Sequence, residues 1–271
     1  MFSDIYDSHT HSDNSQDGNH SVIYLCEQAI KNGVKGFALT DHCECNLFSQ
    51  HAFRSRIRQS LFDAARAREL FADELQVSLG VELGQPTQNL EAAGEVLSLG
   101  HYDFILASLH NSTDMEDAYY VDFDDRDLNI HEFLDAYFKE YVQLARWNQF
   151  DSVAHITYPL RYICGKYGHK VDTAPFAEYL DELFRILIQN GKALELNTSG
   201  LRQPYGLTMP TLDYFKRYRE LGGELVTIGS DAHFAHHVGA GIREGVELLR
   251  EAGFTHYAFY QRREPQLIKL V

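Results

Sequence analysis

Residues 2–42 read FSDIYDSHTHSDNSQDGNHSVIYLCEQAIKNGVKGFALTDH. The short apolar runs FSDIYDS and VKGFALT have the character of buried strands. Between them lies SVIYLCEQAIKNG, in which Val22, Leu25, Cys26, Ala29 and Ile30 fall on one helical face before Gly33. Strand, helix and strand in that order make a βαβ unit, and its repetition predicts a parallel sheet, either closed as a barrel or open and doubly wound. The first strand runs into His9 and His11, which project to the same side of an extended chain because they stand two residues apart. The second ends in His42.

The same arrangement recurs along the chain. Further strands are expected at LQVSLGVEL, YDFILASL, FDSVAHI, KALELN and ELVTIGS, which makes seven in all. Helical patterns separate most of them, as in FAEYLDELFRILIQNG, where Phe176, Leu180, Leu183, Phe184 and Leu187 repeat at three and four residues. The third strand delivers Glu82 at its carboxyl end, the fourth His110, the fifth His155, and the seventh Asp231 with His233 two residues on. In a parallel barrel those ends form one mouth, where active sites sit. With Asp17 from the glycine-punctuated turn after His11, the mouth collects His9, His11, Asp17, His42, Glu82, His110, His155, Asp231 and His233. That set exceeds what one tetrahedral ion uses and suffices for two or three.

Composition narrows the alternatives. The chain has 271 residues, four cysteines and a formal net charge of -15. Such acidity repels a phosphate backbone, so no polynucleotide partner is expected. The cysteines are too few and too irregular for a disulfide framework, and the first residues lack a basic segment followed by an apolar one, so a reduced, cytoplasmic protein is expected. No run approaches the length of a membrane span. Without a linker or low-complexity tract, residues 1–271 are expected to form one domain. The acidic stretch TDMEDAYYVDFDDRD, residues 113–127, reads as a solvated loop. Cys43 and Cys45 read as structural, because no second cysteine pair completes a zinc knuckle. The remaining histidines, including His20, His51, His101, His131, His236 and His237, read as ordinary surface or core residues.

The ordered series HTHSDNSQDG, TDH, GVELG, SLHN, AH, LELNTSGLR and GSDAH resembles the polymerase and histidinol phosphatase (PHP) superfamily over most of the chain. The resemblance implies a distorted (β/α)7 barrel with a trinuclear metal site at its mouth. Carried over residue by residue, it implies that His9, His11, Glu82 and Asp231 hold one ion and that Glu82, His110 and His155 hold a second, with Glu82 bridging. Asp17, His42 and His233 would hold the third. Glu82, Asp231 and His233 thereby become the catalytic candidates. The stretch NTSGLR and the chain length are similar to the histidinol-phosphate phosphatases, which implies L-histidinol phosphate as substrate in histidine biosynthesis. SLHNSTD and HITYPLRY depart from the forms expected there.

Residue chemistry points the same way. Imidazole and carboxylate without thiolate suit two to three zinc, manganese or iron ions, and such a cluster suits hydrolysis of a phosphate ester. A small phosphorylated substrate also calls for fixed cations, and Arg161 and Arg202 fall in loops at the expected mouth, with Asn111 beside His110 as a further substrate-binding candidate. Two rivals stand beside a phosphomonoesterase. One is a phosphodiesterase or nuclease acting on a small nucleotide, and the other is a PHP-like binding module that has lost catalysis.

Overall fold

The computed structural model describes residues 4–270. Each of the seven anticipated strands is present: β1 (Ile5–Thr10), β2 (Val34–Leu39), β4 (Gln76–Gly84), β5 (Phe104–Ser108), β6 (Ser152–Val153), β7 (Ala193–Asn197) and β8 (Val226–Gly229). They pair in parallel in that order. A short further strand, β3 (His42–Glu44), continues the line of β2 after a break at Thr40 and Asp41. Thus β2 pairs with the first half of β4 (Leu39 opposite Leu79) and β3 with the second (His42 opposite Glu82). This places Glu82 between His42 on one neighbour and Leu106 on the other, in the middle of the sheet.

Closure of the barrel rests on few main-chain bonds. Between the ends of β1 and β8, Asp231 N donates to His9 O at 2.8 Å and His11 N to Ala232 O at 2.9 Å. Side chains reinforce the seam. The buried Asp7 carboxylate accepts from Ser230 N (2.8 Å), Ser230 Oγ (2.5 Å) and Gly239 N (2.8 Å), so a carboxylate inside β1 is fully engaged in holding β8. The sheet is therefore a mostly parallel barrel, nearly closed, with helices around it.

Helices α1 (Val22–Lys31), α2 (Phe53–Leu70), α3 (Leu90–Ser98) and α4 (Ile130–Trp147) surround the first half of the barrel. A short turn α5 (Tyr158–Leu160) follows β6, and α6 (Ala177–Gln189), α7 (Leu212–Glu220) and α8 (Ile242–Glu251) complete the ring. The face anticipated for α1 is the buried one: Val22, Leu25, Cys26 and Ala29 are inaccessible, and the Ser21 hydroxyl caps the helix by accepting from Tyr24 N. Beyond α8 the chain adds an antiparallel hairpin, β9 (His256–Gln261) with β10 (Glu264–Lys269), that the sequence reading did not anticipate. Its Ala258, Phe259 and Tyr260 pack with Ala38, Phe104, Leu106, Ala154 and Ala193 in an apolar cluster separate from the helix-facing core. The hairpin lies across the end of the barrel opposite the histidines.

Candidate metal centre

Nine side chains meet at the carboxyl ends of the strands, and they are the nine anticipated. Four sets of three have ligand atoms mutually close enough to share an ion: His9, His11 and Asp231; His9, Glu82 and His155; His42, Glu82 and His110; and His11, His42 and His233. Asp17 reaches the last set, 3.0 Å from His233 Nε2 and 3.7 Å from His42 Nε2. Its side chain is 58% exposed, which makes it the outermost of the nine.

Glu82 is the centre of the arrangement. Fully buried, it lies 3.1 Å from Nε2 of His9 and of His155, 3.2 Å from Nε2 of His110 and 2.9 Å from Nδ1 of His42. Burial alone would raise its pKa, but the surrounding His42, His9 and His110 outweigh that and hold the carboxyl well below its ordinary range. Burial likewise works against protonation of His9 and His42. The carboxylates facing them reverse the sign: Glu195, Glu82 and Asp231 hold His9 well above the usual imidazole value, while Glu82 and Asp17 bring His42 to about 9. At His11, burial and the neighbouring His233 and His42 act together and depress the pKa.

Donor chemistry tests whether cations fit here. His11 Nε2, His155 Nδ1 and His42 Nδ1 are buried without a hydrogen-bond partner, the last although Glu82 is only 2.9 Å away, because the contact is out of line for a hydrogen bond. Nε2 of His42 and Nε2 of His233 face each other at 3.4 Å. Imidazole nitrogens that face one another or a carboxylate in a buried space, several of them without a hydrogen-bond partner, are the arrangement that a shared cation satisfies. The residues fit a cluster of divalent transition ions. Asp231 adds a backbone signature, since it sits at φ 53°, a left-handed conformation of order 1–3 kcal/mol unfavourable for a non-glycine residue and concentrated at functional sites.

Outside the nine, the outcomes differ. Arg161 stacks over the rings of Tyr158 and Tyr162, 4.7 and 4.8 Å from their centroids, and its Nη1 reaches Ser199 Oγ at 3.5 Å. Arg202 donates through Nη2 to Ser230 O at 2.7 Å, next to Asp231, while its Nη1 has no partner. Both arginines are at the mouth. Asn111 is buried and saturated: Oδ1 accepts from Gln85 Nε2 (2.6 Å) and Asn46 Nδ2 (3.4 Å), and Nδ2 donates to Ser112 O (2.9 Å) and Met115 O (3.1 Å). It has no capacity left for a substrate, so its work is holding the loop after β5. Within residues 113–127 the acids are exposed except Asp117, which accepts a hydrogen bond from Tyr158 at 2.9 Å. His20 accepts from Ala235 N and His131 packs on Phe176, in keeping with ordinary structural roles. Cys43 and Cys45 are buried and free.

Two carboxylates escaped the sequence reading. Glu195, inside β7, accepts from His9 Nδ1 at 2.7 Å and from His155 N at 2.8 Å. Glu44, at the end of β3, accepts from His110 Nδ1 at 3.2 Å. The available signal for Glu195 was a lone acid in an otherwise apolar strand, KALELN.

The sequence pattern of the PHP domain matches residues 7–199. The chain belongs to the PHP domain family. The match ends before Asp231 and His233, which closure of the barrel nonetheless brings to the same centre. Similar proteins include one of Thermotoga maritima described as "Probable histidinol-phosphatase", 28% identical over 256 residues, or 94% of this chain and 95% of the relative. The histidinol-phosphatase of Lactococcus lactis is 25% identical over 260 residues, covering 94% of this chain and 93% of that protein. Among solved structures, the PHP barrel resembles that of the Lactococcus lactis histidinol phosphate phosphatase, crystallised with zinc, L-histidinol and phosphate. The TM-score is 0.79 with 22% identity, over 97% of this chain and 98% of the other. No described helix is long and apolar enough to cross a membrane.

Proposed function

We propose that the protein is a metal-dependent phosphomonoesterase that hydrolyses a small phosphate ester, L-histidinol phosphate, to L-histidinol and phosphate. The observation that carries this reading is the buried Glu82 carboxylate in contact with four imidazoles, a position from which it could hold two ions at once. The relatives named for the same reaction, matched over nearly their whole length, support the choice of ester. The nine side chains would hold two to three ions of zinc, manganese or iron, and when bound such a cluster supplies Lewis acidity and an activated water for displacement at phosphorus.

The protein's own groups supply the rest of the site. Arg161, held over Tyr158 and Tyr162 and kept charged by them and by Asp231 against its burial, would donate to phosphoryl oxygens. Arg202 would do so through its unpartnered Nη1 while Ser230 O fixes Nη2. The reading takes residues 1–271 as one catalytic domain, supported by a continuous apolar cluster from Ile5 to Leu270, and places the protein in the cytoplasm, where free Cys26, Cys43, Cys45 and Cys164 stay reduced.

The test is metal analysis of the purified protein followed by a panel of L-histidinol phosphate, an aryl phosphate and a small nucleotide diester at saturating manganese or zinc. The expected result is two to three ions per chain and a preference for histidinol phosphate. Turnover of the diester alone would select the phosphodiesterase. Less than about one ion per chain, with no turnover, would make the protein a binding module.

A further inference from the structure

Each imidazole in the centre has two ring nitrogens, and what the outer one does fixes the direction of the inner one. For His233 the outer partner is the Asp231 carbonyl, 3.1 Å from Nδ1, and for His11 it is the Ser15 hydroxyl at 3.2 Å. His9 and His110 differ in having a carboxylate there. Glu195 Oε1 lies 2.7 Å from His9 Nδ1, and Glu44 Oε1 lies 3.2 Å from His110 Nδ1. A carboxylate only accepts, so in both rings Nδ1 donates its hydrogen outward, which leaves Nε2, on the Glu82 side, as the nitrogen whose lone pair an ion would take.

The backbone is shaped around both carboxylates. A Cβ added to Gly229 would stand 2.5 Å from Glu195 Oε1 and 2.4 Å from His9 Cβ, and one added to Gly84 would stand 2.2 Å from Glu44 Oε2. Each glycine is the notch that admits one carboxylate. Glu195 is further locked by His155 N at 2.8 Å and Asn197 Nδ2 at 3.3 Å, which hold its carboxylate in place against the ring of His9.

We propose that Glu195 and Glu44 are positioning residues for the metal centre, each governing a different ion: Glu195 the one held by His9, Glu44 the one held by His110. The inference rests on the reading of the cluster as a metal site. Both carboxylates also add negative charge behind a ligand set whose only anions are Asp17, Glu82 and Asp231. Outer carboxylates of this kind raise the basicity of the imidazole they hold, and their loss typically lowers metal affinity about 10- to 100-fold.

The experiment is competition for zinc between the protein and a chromophoric chelator, with bound metal counted by elemental analysis, on the wild type, Glu195→Gln and Glu44→Gln. Each variant is expected to lose about 10- to 100-fold in affinity for one ion and to keep the others. A second readout is the downfield proton spectrum of the zinc-loaded protein. There the His9 Nδ1 hydrogen is expected to give a resonance that Glu195→Gln, whose carbonyl accepts more weakly than a carboxylate, moves upfield, and the His110 hydrogen one that Glu44→Gln moves likewise. Unchanged zinc affinity with both resonances unmoved in the variants overturns the proposal. A wild type that binds no zinc overturns the metal reading instead. Should Glu195→Gln fail to fold, Glu195→Asp, which keeps the charge but withdraws it by one methylene, and Glu44→Gln at its partly exposed position decide the matter on the same two readouts.

Discussion

At the end of the barrel closed by the β9–β10 hairpin, the buried carboxylates Asp103 and Asp151 are both matched. Asp151 accepts from Ile105 N and Arg263 Nε, while Asp103 accepts from Leu79 N, Arg262 N and Arg68. Around them pack Phe104, Phe259 and Tyr260, with Phe104 stacked on Tyr260 at 5.2 Å and Tyr6 against Phe259 at 5.0 Å. At the opposite end, His11 Nε2, His155 Nδ1, Arg161 Nε and Arg202 Nη1 are buried without partners. An unpartnered buried polar atom carries a desolvation cost of roughly 1–3 kcal/mol. One end is therefore organised for stability, and the other holds buried polar groups that the chain itself leaves without partners. Substitutions at the two ends should separate accordingly.

The largest expected effect is at Glu82. Glu82→Gln removes one of the two anionic oxygens that four imidazoles face. We expect kcat/KM on L-histidinol phosphate to fall by at least about 10³-fold, roughly 4 kcal/mol in barrier, with loss of at least one bound ion. Wild-type turnover and metal content in this variant would remove the bridging role. Phe259→Ala is the matching test of the other end. Phe259 is wholly buried, and a Phe→Ala change in a packed core costs about 3–5 kcal/mol. Urea denaturation of the metal-free protein should show that loss, while kcat of the folded fraction stays within about twofold. A large fall in kcat would mean that the two ends are coupled.

Much of this division was legible beforehand. The seven strands announce themselves as short apolar runs, and the nine side chains are metal-capable types placed at strand ends, where parallel topology sends them to one mouth. What stayed hidden has identifiable causes. β3 is three residues long and is set off from β2 by Thr40 and Asp41, so no period can be read from it. The β9–β10 hairpin turns through Arg262 and Arg263 at φ 53° and 65°, a turn conformation that Asn-Gly or Asp-Gly would have advertised and two arginines conceal. Asn111 looked free because a saturated amide and an available one have the same sequence. Glu195 was passed over because its role depends on His9, 186 residues away in the chain.

Arg202→Ala probes the boundary between the candidate metal centre and the substrate proposed for it. Removing a charged contact that strengthens in the transition state should lower kcat/KM about 10²-fold on both histidinol phosphate and an aryl phosphate, some 3 kcal/mol, with metal content unchanged. The equal loss on both esters is the informative part, because the arginine addresses the phosphoryl group they share. Full activity on both would make Arg202 a structural brace for the Ser230 carbonyl and nothing more. A loss on histidinol phosphate alone would move it to the leaving-group side.

The smallest effect is expected in the acidic loop, and it separates two accounts of that loop. Asp122, Asp124 and Asp125 are exposed, whereas Asp117 is half-buried and tied to Tyr158, which stacks beneath Arg161. If the loop drew in the cationic end of the substrate by its field, neutralising the three exposed acids would lower kcat/KM, and added salt would erase the difference. Solvated charges near a mouth that must also admit a phosphate do little of this, because the field that attracts an amine repels the ester's other end. The triple replacement Asp122→Asn, Asp124→Asn and Asp125→Asn should therefore change kcat/KM by no more than about twofold between low and physiological salt. A salt-sensitive loss of tenfold or more would assign the loop to substrate capture and extend the functional end of the barrel beyond its ring of ligands.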